Sequence, residues 1–367
     1  MNALARLRAL GERLAHNRRF TVGLSLALVA ALLLVAITSF DLHGLGRSLG
    51  RVRPVWLVLA IVLMGSSFLA RAESWYIAIQ AAMPELDVDR AAVRRGLLVG
   101  MAGSAVAPGR VGEAVRAWLV ARHAPDPPRA FVIVVGTVVL QALLNSVALL
   151  VLLGIAISGA AAVRTSALAG TGAALAVALA LLAMAPRLLR ALEQSRSRPL
   201  RAGRWLAAQL VRIRQGLRAL RKPRAALHSG GAQMGAWGLQ LATCWVVLRT
   251  LGVTPRSSLA AAAAVLVAVN VTAVVPLTPS NVGVFQAACI AALAPFGVAA
   301  TLALAYGLVL QGVEVLCDLG MGIPSLVREG VSFGEVRHAA RAARLGSDPP
   351  SEPHPPEATT SSDARRG

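Results

Sequence analysis

The chain alternates between long stretches without a charge and short arginine-rich connections. Stretches free of Asp, Glu, Lys and Arg are 20–40, 54–70, 96–109, 131–163, 165–186, 225–248 and 257–313. A helix crosses a ~30 Å hydrocarbon core with about 20 mostly apolar residues. Two of the stretches do not fit one crossing. The run 96–109 is too short and ends at Pro108-Gly109, and Val111 to Val120 then continues apolar but carries Glu113 and Arg116. The run 257–313 is far too long, and it is interrupted by Pro276, Pro279, Gly283, Pro295 and Gly297. Proline and glycine at these places supply helix breaks. Both patterns predict helical hairpins that enter the membrane and turn back, which is tolerated only where the backbone is buried in protein or lines a cavity.

The predicted fold class is therefore all-α: a polytopic helical membrane protein. Full spans are expected at 20–40, 54–79, 131–158, 164–186, 231–250 and 299–326, with broken pairs at 96–122 and 258–296. That gives six full spans, or eight if the second pair is counted as two complete ones. Either number is even and puts both termini on one side. Residues 1–19 are basic, and Phe20 to Phe40 is longer than the ~7–15-residue apolar core of a secretory signal, so a retained helix is expected there. Segment 187–224 holds twelve basic residues against the single acid Glu193. By the positive-inside rule it is cytoplasmic, as are both termini. Leu206, Leu210, Ile213, Leu217 and Leu220 recur there at helical spacing among the arginines. This pattern describes a basic amphipathic helix at an anionic membrane face, or a topogenic charge cluster alone. Residues 345–367 are rich in Pro, Ser and Thr, lack a buriable face and read as a disordered cytoplasmic tail.

Composition agrees with the pattern. Of 367 residues, 56% are hydrophobic and only 15% charged, and the net charge is +20. Mean hydropathy is +0.65. Soluble chains carry about 25% charge, so a soluble enzyme is excluded. A nucleic-acid partner is not expected either, because the basic residues alternate with apolar runs. Cys244, Cys289 and Cys317 each lie inside an apolar run and read as small core residues. No metal-ligand spacing, no nucleophile–base pair and no phosphate loop of the Gly-x-x-x-x-Gly-Lys-Ser/Thr type is present. Neither a metal, a cofactor nor an enzymatic activity is expected.

Charges at membrane depth are costly and mark candidate sites. Three groups qualify: Arg71-Ala-Glu73 late in the second span; Arg110, Glu113 and Arg116 in the first hairpin; and Gln311, Glu314 and Asp318, which share one face of the last span. Arg110 and Arg116 could pair with Glu314 and Asp318 to hold the hairpin. Alternatively, Arg110 binds a lipid phosphate, which guanidinium matches in bidentate geometry. Both readings stand at this point. In the second hairpin, Thr278, Pro279, Ser280 and Asn281 precede a half-helix, which Ser280 or Asn281 could cap so that its N-terminus faces an anion. Pro108-Gly-Arg-Val-Gly112 and Pro279-Ser-Asn-Val-Gly283 align in register. Interrupted helices at corresponding places in two halves are a mark of internally repeated transporters. Gln141, Asn145, Gln240 and Asn270 are read as interhelical hydrogen-bonding groups.

Three segments carry a resemblance: Phe68-Leu-Ala-Arg71-Ala-Glu-Ser-Trp75-Tyr76, Pro108-Gly-Arg110-Val-Gly112-Glu113-Ala-Val-Arg116, and Pro276-Leu-Thr-Pro279-Ser-Asn-Val-Gly283. Together they resemble the lysylphosphatidylglycerol synthase transmembrane-region family, also described as flippase-like, over residues 20–330. Trp75 follows Arg71 by four residues, whereas the family pattern has them adjacent; the central motif is complete. The resemblance implies a lipid-handling membrane domain, without the soluble aminoacyl transferase domain of its bifunctional relatives. The expectation is a plasma-membrane protein that flips an anionic or polyprenyl-linked lipid. Arg71, Arg110, Glu113, Arg116, Thr278, Pro279, Ser280 and Asn281 would line the headgroup path, and Gln311, Glu314 and Asp318 would serve as intramembrane charge partners. The alternative is a non-transporting partner that positions a membrane glycosyltransferase or another envelope enzyme.

Overall fold

The structure is a computed structural model that describes residues 46, 50, 52–84, 88–106, 111–159, 222–254, 257–273 and 281–330. The expected spans 20–40 and 164–186, nearly all of the basic amphipathic segment, and the tail lie outside the described residues. So do Arg110, Thr278, Pro279 and Ser280.

Among the described residues there are eight α-helices and no strand. Four are long: α1 (Pro54–Ala82), α4 (Pro127–Gly159), α5 (Pro223–Thr250) and α8 (Ala300–Arg328). Four are shorter and form two pairs: α2 (Arg90–Val106) with α3 (Val111–Ala121), and α6 (Ser258–Thr272) with α7 (Val284–Leu293). Helices α1, α4 and α8 contain segments long and apolar enough to cross a membrane. Helix α5 has the length but is more polar, because Ser229, Gln233, Gln240 and Thr243 are buried on its inner face. Residues on the outer faces, such as Val58, Val62, Val151, Leu316 and Ile323, are exposed and suit contact with lipid.

The helix starts follow local chemistry. Proline stands at the first turn of α1 and α5, where a missing N–H costs nothing. Asp89 caps α2 by accepting from the N–H groups of Ala91 and Ala92 at 2.9 and 3.2 Å. This cap starts the first hairpin at Arg90, six residues earlier than expected. The charge-free run misses that turn because Arg90, Arg94 and Arg95 interrupt it, although charge at a helix end does not stop the helix. Helix α5 likewise begins at Pro223 and not at 231.

Helix–helix contact in lipid depends on close approach, not on hydrophobic burial. Ala261, Ala262 and Ala263 of α6 are fully buried in the main core, and α6 packs along α4. The two arms of the first hairpin touch at Gly100 and Gly112. A Cβ at Gly112 would fall on the Gly100 carbonyl and the Ser104 hydroxyl.

Contacts at the helix ends assign each end to one side. The Arg53 N–H donates to the Thr250 carbonyl at 3.2 Å, and Trp245 donates to the Ser258 hydroxyl at 3.1 Å. The start of α1, the end of α5 and the base of the second hairpin therefore share one end. At the other end, Glu73 pairs with Arg90 at 2.6 Å. There Glu329, following α8, accepts from Arg95 at 2.5 Å and from Arg122 at 2.7 Å. The base of the first hairpin thus sits beside the end of α8. The two hairpins enter from opposite ends.

Candidate functional site

Helix α8 is the rail along which both hairpins run. From its C-terminal end, Gly322 packs against Leu98 and Ala102 of α2. From its N-terminal end, Gly307 packs against Gln286 and Cys289 of α7. Continuing inward, the hairpins meet beside Glu314 and Asp318. Between them lies a cavity of about 240 Å³. Its wall includes Ser104 and Gly112 from the first hairpin, Asn270, Asn281 and Phe285 from the second, and Gln311, Glu314 and Asp318 from α8. Glu113 and Arg116 complete it. Drug-sized pockets span ~300–1,000 Å³, so this one accommodates a headgroup or an ion and not a whole lipid.

Arg116 is held on three sides. It donates to Gln141 of α4 at 3.1 Å, pairs with Glu113 one turn earlier, and lies over the Trp75 indole at 4.8 Å. Trp75 is fully buried and donates to Thr137 at 3.0 Å, which fixes the ring. The Arg116 Nε finds no partner. Pairing of Arg116 with Glu314 or Asp318, one of the two sequence readings, is not what the structure shows. Glu113 is nearer because it lies three residues away on the same helix.

Arg71 of α1 repeats this arrangement nearby, outside the cavity lining, with its carbonyl 3.4 Å from the Gln141 amide. It donates to Gln240 of α5 at 2.8 Å and lies 5.4 Å from the Trp237 ring centroid. Its Nε is also unpartnered. The charges whose fields reach it are Arg116, Glu314, Asp318 and Glu113. The two buried cations are therefore each solvated by one amide and one indole. An amide offers an acceptor without a second charge, and the indole face adds cation–π attraction. Trp237 was not legible as a site residue, although Trp237 and Gln240 stand three apart on one helix face, which is the available signal.

Of the four amides read as interhelical, three bridge helices. Gln141 joins α4 to α3, Gln240 joins α5 to α1, and Asn145 accepts from Gln233 at 2.6 Å and from Trp237 at 3.0 Å. Asn270 instead donates to Leu266 of its own helix at 2.8 Å and lines the cavity.

The second hairpin resumes its helix differently from expectation. Gly283, with φ +87°, is the N-cap, and its N–H donates to Gln286 at 2.7 Å. The Gln286 amide donates in turn to Gln311 at 2.5 Å, tying the half-helix to α8. Asn281 does not cap. It takes a left-handed conformation with φ +52°, and its Oδ1 is buried without a partner. Asp318 Oδ1 is likewise buried and unpartnered.

Among the described residues, no group of three or more His, Cys, Asp or Glu is placed to hold a metal ion. Cys244, Cys289 and Cys317 are free and buried.

No curated protein and no solved structure matches the chain. The model of one family does, and its match runs from residue 22 to residue 322, through both hairpins, the Arg116 and Arg71 clusters and the Glu314–Asp318 face. The chain belongs to the family of the lysylphosphatidylglycerol synthase TM region.

Proposed function

We propose that the protein translocates a lipid with an anionic or polyprenyl-phosphate headgroup across the plasma membrane. One observation carries this reading: two broken hairpins enter from opposite ends of α8 and leave a polar cavity between them. Interrupted helices meeting at the membrane midplane are the architecture of secondary transporters. A protein that only positions an enzyme has no need of a charged cavity at that depth, where each charge costs at least ~2.5 kcal/mol. The headgroup enters the cavity while the acyl chains stay in lipid, as the small volume requires. Arg116, whose NH groups serve Glu113 and Gln141, offers its unpartnered Nε to phosphate, with Arg71 nearby. Arg110, which follows Pro108-Gly109 in the sequence motif, supplies the first contact. The protein acts as a carrier and not as an enzyme.

Charge at the two ends supports an orientation. Among the described residues, the end that holds the first hairpin base carries Arg90, Arg94, Arg95, Arg122, Lys222, Arg224 and Arg328, against Arg53 and Arg249 at the other. The positive-inside rule places the first end in the cytoplasm.

The test is a transbilayer assay in liposomes containing purified protein and a fluorescent anionic or polyprenyl-phosphate lipid. Wild type moves the lipid; Arg110→Ala and Glu314→Ala proteins do so at least tenfold more slowly. Equal rates for all three proteins would sink the reading. Co-purification with a membrane glycosyltransferase would then favour the positioning role.

A further inference from the structure

We infer that Glu314, Asp318 and Asn281 form a binding site for one monovalent cation, a sodium ion or a proton, in the cavity between the two hairpins. The inference begins from charge. Glu314 and Asp318 lie four residues apart on one face of α8, and both line the cavity. Among the described residues, the charged groups facing them are Arg71 from α1 and Glu113 and Arg116 from α3. Arg116 is occupied by Glu113. Among the described residues, Arg71 is then the cation left to balance the two carboxylates. Counted over the described residues, two carboxylates against one guanidinium leave one negative charge at membrane depth, where an uncompensated charge is not sustained.

Hydrogen bonding points the same way. Of the buried side-chain atoms without partners on the cavity residues, two are acceptors, Asp318 Oδ1 and Asn281 Oδ1, and one is a donor, Arg116 Nε. The two oxygens come from different elements, one from α8 and one from the second hairpin. A phosphate answers the Arg116 donor and leaves both oxygens unsatisfied, so the oxygens call for a cation or a proton of their own. Helix α6 ends at Thr272, beside the cavity residues Asn270 and Ala273, so the negative end of its dipole also faces the site. Oxygen donors at the end of a broken half-helix are how transporters hold sodium or protons. The ligand set, with two carboxylates and an amide, suits a hard monovalent cation and not a soft transition metal.

The site deepens the proposed function by supplying its coupling ion, and it rests on that reading only for this role. Cation occupancy would join the second hairpin tip to α8, and release would free it.

Binding is measured without added lipid, so its failure and the failure of lipid translocation are separable. Purified wild type, Asp318→Asn and Asn281→Gly proteins in detergent are melted in sodium or potassium chloride at equal ionic strength. Glycine keeps the left-handed backbone at 281. If sodium is the ligand, wild-type Tm rises by about 2 °C per tenfold sodium above its Kd. The rise is lost in Asp318→Asn and moves to about tenfold higher sodium in Asn281→Gly. If a proton is the ligand, sodium has no effect, and wild type takes up one proton more than Asp318→Asn in an unbuffered acid titration. Neither response in the wild type overturns the inference. So does a cation response that is absent in the wild type and appears in Arg110→Gln, since Arg110 would then be the missing charge.

Discussion

Arg71 on α1 and Gln240 on α5 are joined by a 2.8 Å hydrogen bond across the most extensive helix pair in the bundle. The Arg71 backbone carbonyl lies 3.4 Å from the Gln141 amide, whose oxygen holds Arg116. The two buried guanidiniums are thus linked through a chain of amides and are not isolated charges. Replacing Gln240 by leucine removes an acceptor from Arg71 while preserving volume. A hydrogen bond to a charged group contributes about 1.5–3 kcal/mol, so the Gln240→Leu protein should lose that order of stability in detergent. Thermal unfolding measures it, and an unchanged Tm contradicts the assignment.

Arg116 meets an amide, a carboxylate and an indole face at once. Lysine keeps the charge but has no planar fork to reach all three. Arg116→Lys should therefore reduce retention of anionic lipid at least tenfold and lower stability by about 1–2 kcal/mol. Native mass spectrometry of lipid-bound protein reads the first effect. If lysine retains lipid as arginine does, charge alone is sufficient and the geometric argument fails.

Gly112 lies against the Gly100 carbonyl and the Ser104 hydroxyl, at the closest approach of the first hairpin's arms. A methyl group there must push backbone away, because neither contact is the free end of a long side chain. Overpacking of this kind costs about 1–3 kcal/mol. Gly112→Ala should lower Tm and slow lipid movement together. Gly154 has nothing within 4 Å of a built Cβ, so Gly154→Ala is the control that should leave both unchanged.

Glu329 forms a clamp at the basic end. Its side chain is 2% exposed, and it binds Arg95 at 2.5 Å and Arg122 at 2.7 Å, with His123 at 3.5 Å. The arginines are partly exposed, so solvent discounts the pairing. Glu329→Gln should cost about 1–3 kcal/mol. Hydrogen exchange should rise at the base of the first hairpin, around residues 90–95 and 119–123, and not around α6 and α7. Exchange that rises equally in both hairpins would show that the clamp acts globally.

Much of the architecture was legible because its signals are local. Proline and glycine interrupt helices by covalent geometry, and the described helices end at Val106 and Thr272 and resume at Val111 and Val284, either side of the Pro- and Gly-bearing stretches. Uncharged runs of membrane length report spans because lipid penalises charge at every position. The helix periodicity that put Gln311, Glu314 and Asp318 on one face is likewise a property of the backbone. The helix starts at Arg90 and Pro223 were misplaced because the apolar run marks where the lipid core ends, not where the helix does.

What the sequence by itself determined is the list: an all-helical membrane chain with two broken hairpins and a small set of intramembrane polar groups. Only the tertiary structure decided who meets whom. It gave Arg116 to Glu113, Gln141 and Trp75, and Arg71 to Gln240 and Trp237. It also brought the hairpins along α8 from opposite ends, so that Asn281 and Asp318 border one cavity. The physical reason is that a buried charge is stabilised by whichever dipoles surround it, and those come from helices far apart in the chain. Spacing along one helix constrains a face, but the partner of that face is set by packing of all the others.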